Sequence, residues 1–250
     1  MRVILKLKNL NNYLPDFQYH SKVQGFVYSL LRNTSFEDLH DKKGFKFFSF
    51  SNIFSDRSNP DRLFNLIIAS PSDKFVNEIS YQLEKITENE LPVEIGTLFE
   101  LKNFHLIDKS NLQLPLTIMT ESPILLRIPI SKFVDQSQDS APHKYVYWRS
   151  SHPVNLFISS LESNLKKKYA DFTGNSVDGG IFESFEFKKQ VSTKILIREH
   201  WLPVIGTLWK FTFAKAVSRE LQTFALDCGL GERNSFGFGF VNSWGQKQVN

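Results

Sequence analysis

The 250-residue chain has little of several features that define other classes of protein. It contains one cysteine, Cys228, so an intramolecular disulfide framework cannot form and a cysteine-based zinc site is not expected. No apolar run approaches the ~20 residues that a membrane-spanning helix needs. Residues 63–69 form one of the longest such runs and already include Asn65. We therefore expect a protein of the reducing cytoplasm with no membrane partner.

Metal-ligand motifs are also missing from the sequence. The histidines form no His-x-x-x-His pair, the chain has no Cys-x-x-Cys, and its acidic residues form no compact cluster. These absences argue against a metalloenzyme, and we expect neither a metal nor a cofactor.

Charge is distributed unevenly along the chain. Residues 1–140 carry 16 basic and 17 acidic side chains, a sum of −1, whereas residues 141–250 carry 14 basic and 9 acidic ones, a sum of +5. A basic second half suits a polyanionic partner, but charge alone is more typical of a solvated surface.

Hydrophobic periodicity predicts two similar units. The first 110 residues are predicted to follow the order strand, helix, strand, strand, helix, strand, which is the ferredoxin-like βαββαβ motif. The second half repeats that order, with residues 181–189 and 191–199 predicted as an additional strand pair. We therefore predict an α+β protein of tandem ferredoxin-like (RRM-like) domains, at residues 1–112 and 113–250, with antiparallel sheets and helices on one face.

A glycine-rich segment lies near the end of the chain. Residues 229–239 contain four glycines in eleven positions. Exposed amides in such a segment can cradle phosphates, and Arg233 would add charge. The same residues would also suit a helix C-cap followed by a turn and bulges. The spacing matches neither the dinucleotide-binding nor the nucleotide-phosphate motif, so the two interpretations stay open.

The arrangement Gly-Leu-Gly, five residues, Gly-Phe-Gly resembles the signature loop of the repeat-associated (RAMP) superfamily of RNA-binding proteins. Within that superfamily the chain is similar to the CRISPR-associated endoribonucleases that process CRISPR repeats. Residues 23–28 match the first helix of that family, residues 39–51 match its histidine and the following strand, and residues 120–124 match the start of its second domain.

The resemblance implies three catalytic residues. Tyrosine, histidine and lysine act in some members at the positions of Tyr28, His40 and Lys46. The residue pattern alone favours a helix-surface hydroxyl, a cation at a helix end and a solvated strand lysine at these positions. His20, at the start of the first predicted helix, is the closest rival catalyst.

The resemblance also implies the reaction, a metal-independent cleavage of precursor CRISPR RNA within the repeat. The 2′-hydroxyl would attack the adjacent phosphate, leaving a 2′,3′-cyclic phosphate and a 5′-hydroxyl. Histidine, with a free pKa of about 6.5, suits proton transfer, and lysine suits the developing charge. We expect His40 to move the proton and Tyr28 to act as a base or to orient the 2′-hydroxyl. The alternative is a non-catalytic CRISPR RNA-binding subunit.

Binding of the precursor transcript is expected to use the glycine-rich segment and basic side chains of the second half. The run Lys166-Lys167-Lys168 is instead typical of a surface cluster at a helix end. The resemblance also allows a homodimer and association with a CRISPR interference complex. The candidate RNA-binding residues are Gly229, Gly231, Arg233, Asn234, Ser235, Gly237, Gly239, Lys188, Lys189, Lys194 and Arg198.

Overall fold

A computed structural model describes residues 1–11, 19–56, 63–107, 109–133, 144–197 and 200–245. Its α-helices are α1 (His20–Leu30), α2 (Asp73–Glu88), α3 (Val154–Thr173) and α4 (Arg219–Cys228). Its strands are β1 (Arg2–Asn9), β2 (Ser49–Phe50), β3 (Phe54–Ser55), β4 (Phe64–Ala69), β5 (Val93–Glu94), β6 (Leu98–Leu106), β7 (Thr117–Thr120), β8 (Ile124–Leu125), β9 (Arg127–Pro129), β10 (Tyr145–Tyr147), β11 (Phe182–Ile197), β12 (His200–Phe213) and β13 (Val241–Ser243). None of the helices in these ranges combines the length and apolarity that crossing a bilayer requires.

The first sheet is organised around β1. Val3, Leu5 and Leu7 alternate along this strand and are completely buried, because alternate side chains of a strand point to the same face. They pack with the buried residues of α1 and α2 in one core. The strands run antiparallel in the order β2-β4-β1-β6-β5. The first core is therefore closed by helices on one face of the sheet.

The start of α2 shows how local chemistry fixes an element. The hydroxyl oxygen of Ser72 accepts a hydrogen bond from the backbone N–H of Phe75 at 3.2 Å, which satisfies one of the free amides of the first turn. Phe75, Val76, Ile79 and Leu83 then face the core, at the spacing of one helical face. The cap and the apolar stripe together define where this helix begins and which side it buries.

The second sheet has the same relative strand order as the first. Its main path is β11-β12-β7-β13, with β8 added to β12. α3 connects the β7–β10 region to β11, and α4 connects β12 to β13. Side chains of both helices share one core with Trp209, Phe211 and Phe213 of β12. The fold is therefore α+β with tandem ferredoxin-like units, as the sequence predicts.

One element of the second half differs from the sequence-based prediction. Residues 181–189 and 191–199 do not form a strand pair, because β11 is a single strand that pairs with β12 from Phe182↔Phe213 to Ile197↔His200. A register shift between Phe187 and Lys189 carries the strand through its polar stretch. The 14-residue partner supplies hydrogen bonds along the whole length, which a local pattern does not reveal.

The two sheets follow each other along the chain. The last strand of the first sheet ends at Leu106, and the first strand of the second begins at Thr117. These bounds agree with a division into residues 1–112 and 113–250, which stays a prediction.

A buried ion pair joins the two halves. Arg2 is 3% exposed, and its Nε lies 3.4 Å from Oδ1 of Asp227 in α4. The same guanidinium donates to Asn242 Oδ1 at 2.6 Å and to the carbonyl of Val241 at 2.7 Å. Because a buried cation is costly unless its donors are satisfied, these contacts hold the first strand firmly against the second half.

Phe47 makes an aromatic contact between the halves. Its ring lies 5.1 Å from that of Phe172 in α3 and 6.5 Å from that of Phe224 in α4. Its backbone has φ of +50°, which side chains other than glycine seldom adopt. The neighbouring Lys46 contacts Tyr28 instead, so the segment before β2 touches the second half and the first helix at adjacent positions.

Candidate functional site

Three of the sequence-predicted residues meet at the edge of the first sheet. Tyr28 is half-buried on α1, next to the buried Val27. His40 ends the short 3-10 helix Glu37–His40, and its ring centroid lies 5.0 Å from that of Tyr28 in an edge-to-face arrangement. Lys46 Nζ donates to Tyr28 Oη at 2.9 Å and to the carbonyl oxygen of His40 at 2.5 Å. The structure therefore brings these three residues together.

His40 is the most accessible member of this group. Its side chain is 68% exposed, and its Nδ1 lies 2.8 Å from Oδ1 of Asp41. When Nδ1 carries the proton of that contact, Nε2 is the ring atom left for proton exchange with a bound molecule. The imidazole is therefore placed for proton transfer at the surface.

Tyr28, unlike the exposed His40, is partly buried, and this burial raises the pKa of its phenol to about 12. The Ser235 side chain acts to lower this pKa, and the Asp41 carboxylate acts to raise it further. The phenol therefore stays protonated at neutral pH. It can donate and accept hydrogen bonds, but it is a poor base in this state.

Lys46 is partly shielded from solvent. Burial lowers the pKa of its ammonium, and the nearby Asp41 carboxylate opposes that lowering. Its Nζ also lies 5.1 Å from the centre of the Tyr28 ring. The ammonium is thus held at one place by Tyr28 and by the carbonyl of His40.

The glycine-rich segment forms the other wall of the site. A cleft of about 490 Å³ lies between it and the segment that carries Lys46, and Arg127, Arg233 and Ser235 are among its lining residues. The carbonyl of Ser235 accepts from Gln24 Nε2 of α1 at 2.8 Å, and Gln24 lies one helical turn before Tyr28. Residues from both halves of the chain therefore meet beside the helix that carries Tyr28.

The glycines themselves pack against protein. Gly239 has φ of +66°, and a Cβ added there would lie 1.8 Å from the carbonyl oxygen of Leu230. At Gly231, with φ of +70°, a Cβ would lie 2.6 Å from the carbonyl oxygen of Leu125. Glycine is thus needed at these two positions for the loop to fold, whatever the loop binds.

Several amides of the loop are occupied within the protein. The N–H groups of Gly229, Gly237 and Gly239 donate to the carbonyls of Ala225, Asn234 and Pro123. This pattern favours the helix-cap and turn interpretation for the glycine backbone. Binding of RNA by the loop stays a prediction, and it depends most on the half-exposed side chains of Arg233 and Ser235.

The predicted basic residues of β11 divide into two groups. Lys188 and Lys189 are exposed on the strand, and Lys188 pairs with Glu186 at 2.5 Å. Neither lines the cleft beside Lys46. Lys194 lines a small cavity with Phe236 and Phe238, so it is close to the glycine-rich loop. Arg198 lies outside the described residues.

The rival histidine has a different environment. His20 is stacked between Tyr19 and Phe238, with ring centroids 4.7 and 5.8 Å away. Its Nε2 lies 3.1 Å from Asn52 Oδ1, and burial lowers its pKa. His20 therefore packs between the two halves and is not among the residues that contact Tyr28.

Three residues that sequence reasoning missed support this site. Gln24 binds the loop backbone, and Arg127 pairs with Glu232 at 2.6 Å at the cleft. Lys168 was interpreted as part of a surface cluster, but it is 1% exposed and binds the glycine-rich loop. A signal was present in the sequence, because Lys168 follows Leu161 and Leu165 at the spacing of one helical face.

Among the described residues, no group of three or more His, Cys, Asp or Glu side chains is arranged to hold a metal ion. Within the same part of the chain, four cationic side chains line the cleft, namely the buried Lys168 and the more exposed Lys46, Arg127 and Arg233.

Comparison with solved structures supports the fold. The structure of a CRISPR associated protein Cas6 superposes with a TM-score of 0.71 at 22% identity, covering 97% of this chain and 98% of the other. A Cas6-related protein from Pyrococcus furiosus gives a TM-score of 0.73 at 18% identity, covering 99% of each chain. At these identities the likeness concerns the fold.

Comparison with known sequences extends over nearly the whole chain. The C-terminal model of the family described as CRISPR associated protein Cas6 matches residues 108–243. The CRISPR-associated endoribonuclease Cas6 of Haloferax mediterranei is 26% identical, covering 97% of this chain and 93% of the relative. The CRISPR-associated endoribonuclease Cas6 2 of Methanocaldococcus jannaschii is 30% identical, covering 97% of this chain and 99% of the relative. On this evidence the chain belongs to the Cas6 family of CRISPR-associated endoribonucleases.

Proposed function

We propose that this protein cleaves precursor CRISPR RNA within the repeat, without a metal ion, at the cleft beside Tyr28, His40 and Lys46. The observation that carries the proposal is the contact of Lys46 Nζ with Tyr28 Oη at 2.9 Å beside the exposed imidazole of His40. The names of the relatives support the substrate class, since they are CRISPR-associated endoribonucleases.

In the proposed reaction, the 2′-oxygen of the ribose attacks the neighbouring phosphorus. A new 2′-O–P bond forms and the P–O5′ bond breaks, so the products are a 2′,3′-cyclic phosphate and a 5′-hydroxyl. A proton must leave the 2′-oxygen and another must reach the 5′-oxygen. His40 transfers one of these protons through Nε2, because its Nδ1 faces Asp41.

Lys46 supplies positive charge at the phosphate in this proposal. A cation held beside the reacting oxygens stabilises charge where it develops in the transition state. Tyr28 orients Lys46 and the ribose as a neutral phenol, since its pKa is raised to about 12 by burial. Its role is therefore that of a hydrogen-bonding group, with the proton transfer assigned to His40.

Arg233 and Ser235 of the glycine-rich loop bind the substrate next to the reacting phosphate. Lys194 extends the basic surface along β11, and Lys188 and Lys189 extend it further from the cleft. Each phosphate contact releases counterions, so binding of the repeat should weaken steeply as salt is raised.

The partner in this proposal is the repeat of the precursor transcript, and the compartment is the cytoplasm. A homodimer and association with an interference complex are predictions of the family resemblance. Light scattering of the purified protein with and without repeat RNA measures the oligomeric state. Co-purification tests association with the interference complex.

The test is incubation of the full chain with repeat RNA in EDTA, followed by analysis of the product ends. We expect one cut per repeat, with a cyclic phosphate upstream and a 5′-hydroxyl downstream. A single deoxyribose immediately before the cut should stop the reaction. Strict dependence on a divalent ion, or a 5′-phosphate product, would contradict the proposed chemistry. Tight binding without turnover would favour the non-catalytic subunit.

A further inference from the structure

A charged side chain lies inside the second half, behind the glycine-rich loop. Lys168 of α3 is 1% exposed, and burial lowers the pKa of its ammonium. Nζ donates to the carbonyl of Gly229 at 2.6 Å, to the carbonyl of Gly231 at 3.3 Å and to Asn234 Oδ1 at 2.9 Å. A lysine ammonium has three N–H donors, so all of them are used.

The partners of Lys168 are neutral oxygens of one loop. A buried ammonium that binds only neutral oxygens needs every one of these contacts to offset its desolvation. The loop in turn needs a donor that can reach two carbonyls and one side-chain amide at once. Each therefore stabilises the other in a single geometry.

Asn234 carries this geometry across the loop. Its Nδ2 donates to the carbonyls of Leu230 and Phe238, at 2.9 Å each. One amide side chain thus ties together the two arms of the loop while its oxygen is held by Lys168. The loop is fixed from its inside, and the contact with α3 decides where residue 234 lies.

Ser235 is the next residue, and its backbone contacts the helix that carries Tyr28. Its carbonyl accepts from Gln24 Nε2 at 2.8 Å, and Gln24 lies one turn before Tyr28 on α1. A connected path therefore runs from the Lys168 ammonium through Asn234 and the Ser235 carbonyl to Gln24, one turn before Tyr28.

We propose that Lys168 is a positioning residue for the cleavage reaction, which fixes the glycine-rich loop from within and thereby positions Tyr28 through the contact of the Ser235 carbonyl with Gln24 of α1. The inference rests on the function proposed above. Lys168 does not touch the RNA, because it is buried and all its donors are occupied. Its contribution is to the geometry of the reacting groups.

The experiment compares Lys168→Met with Lys167→Met, a matched control on the same helix whose side chain is exposed. Single-turnover cleavage of repeat RNA should slow by about 10²-fold in Lys168→Met, the cost of a misplacement of roughly 1 Å. Lys167→Met should cleave at the wild-type rate. Thermal unfolding establishes that both variants are folded.

A double-mutant cycle with Gln24→Ala separates positioning from a general structural effect. If Lys168 acts through the contact of the loop with Gln24, Lys168→Met combined with Gln24→Ala is no slower than Lys168→Met alone. Rate losses that multiply would overturn the inference. Lys168→Gln, which keeps an amide NH2 as donor, replaces Lys168→Met in the cycle if the methionine variant does not fold.

A readout without catalysis keeps the two proposals apart. The NMR signal of the Tyr28 ring, assigned with Tyr28→Phe, should move in the same direction in Lys168→Met and in Gln24→Ala and stay fixed in Lys167→Met. An unmoved signal in folded Lys168→Met would refute the positioning role. Wild-type protein that fails to cut repeat RNA would refute the proposed function, while the NMR comparison still decides the role of Lys168.

Discussion

The two walls of the cleft are built differently. On the N-terminal side the lining residues 44–48 belong to a segment, residues 41–48, that forms neither helix nor strand, and the exposed His40 precedes it. On the C-terminal side the glycine-rich loop is largely buried and hydrogen-bonded to itself and to α3. In the proposed reaction this contrast is a division of roles. The exposed side supplies the groups that transfer protons and stabilise charge, and the buried loop determines where they meet the substrate.

The strongest test of this division removes the imidazole. His40→Ala should lower single-turnover cleavage of repeat RNA by about 10²–10⁴-fold, the range for general acid–base catalysis. Its unfolding free energy should stay unchanged, since the side chain is exposed. His105→Ala, on the exposed surface of β6, is the matched control. Equal losses in both variants would contradict the assignment of proton transfer to His40.

A second test removes the ammonium on the same wall. Lys46→Met should slow cleavage by about 10²–10³-fold, as expected for the loss of one group that stabilises transition-state charge. Binding of a non-cleavable deoxy repeat should change far less. Lys43→Met removes an exposed lysine three residues away and serves as the control. If Lys46→Met weakens binding of the repeat but leaves the cleavage rate unchanged, Lys46 contributes to substrate affinity and not to catalysis.

The third test changes the buried glycine-rich loop, and we expect its first effect on the free energy of unfolding. Gly239→Ala should lower the unfolding free energy by about 1–3 kcal/mol, because its φ of +66° and the contact with Leu230 leave no room for a methyl group. Gly25→Ala, in α1 and with nothing within 4 Å, should instead raise it by roughly 0.5–1 kcal/mol. Chemical denaturation of both variants measures the pair. An unchanged free energy of unfolding in Gly239→Ala would contradict the tight packing of the loop at this position.

The smallest expected effect concerns the pH dependence of stability and the histidine His20, which packs between the two halves. Burial lowers the pKa of His20 below its ordinary 6.5. As the pH falls from the ordinary pKa of the unfolded chain toward the lower pKa of the folded one, the unfolded chain takes up a proton that the folded chain does not. The free energy of unfolding therefore decreases in this pH range. His20→Gln should flatten this acid-side decrease in urea denaturation at several pH values. An unchanged slope in His20→Gln would contradict the burial of this histidine in the folded protein.

Local signals in the sequence predicted much of the fold. The alternation of Val3, Leu5 and Leu7 is the buried face of β1, and Ser72 caps α2. The order of elements was enough to indicate two ferredoxin-like units, because each unit has its own periodic strands and helices.

Long-range partners account for what the sequence did not predict. The single strand β11 depends on 14 residues of β12 for its hydrogen bonds, and residues 188–190 by themselves are as polar as a turn. Lys168 belongs to a run of three lysines, and only the packing of α3 against the loop shows that it is buried. For the candidate site, the residues were predictable from the resemblance, whereas the contact of Ser235 with Gln24 required the fold.

The buried pair of Arg2 and Asp227 has a consequence for synthesis on the ribosome. The partners are separated by 225 positions, so the guanidinium emerges long before its carboxylate is translated. The nascent first half therefore carries an uncompensated cation at what becomes the junction of the halves. Its final arrangement must wait until α4 has been synthesised and has folded, so the junction between the halves forms only when both are present.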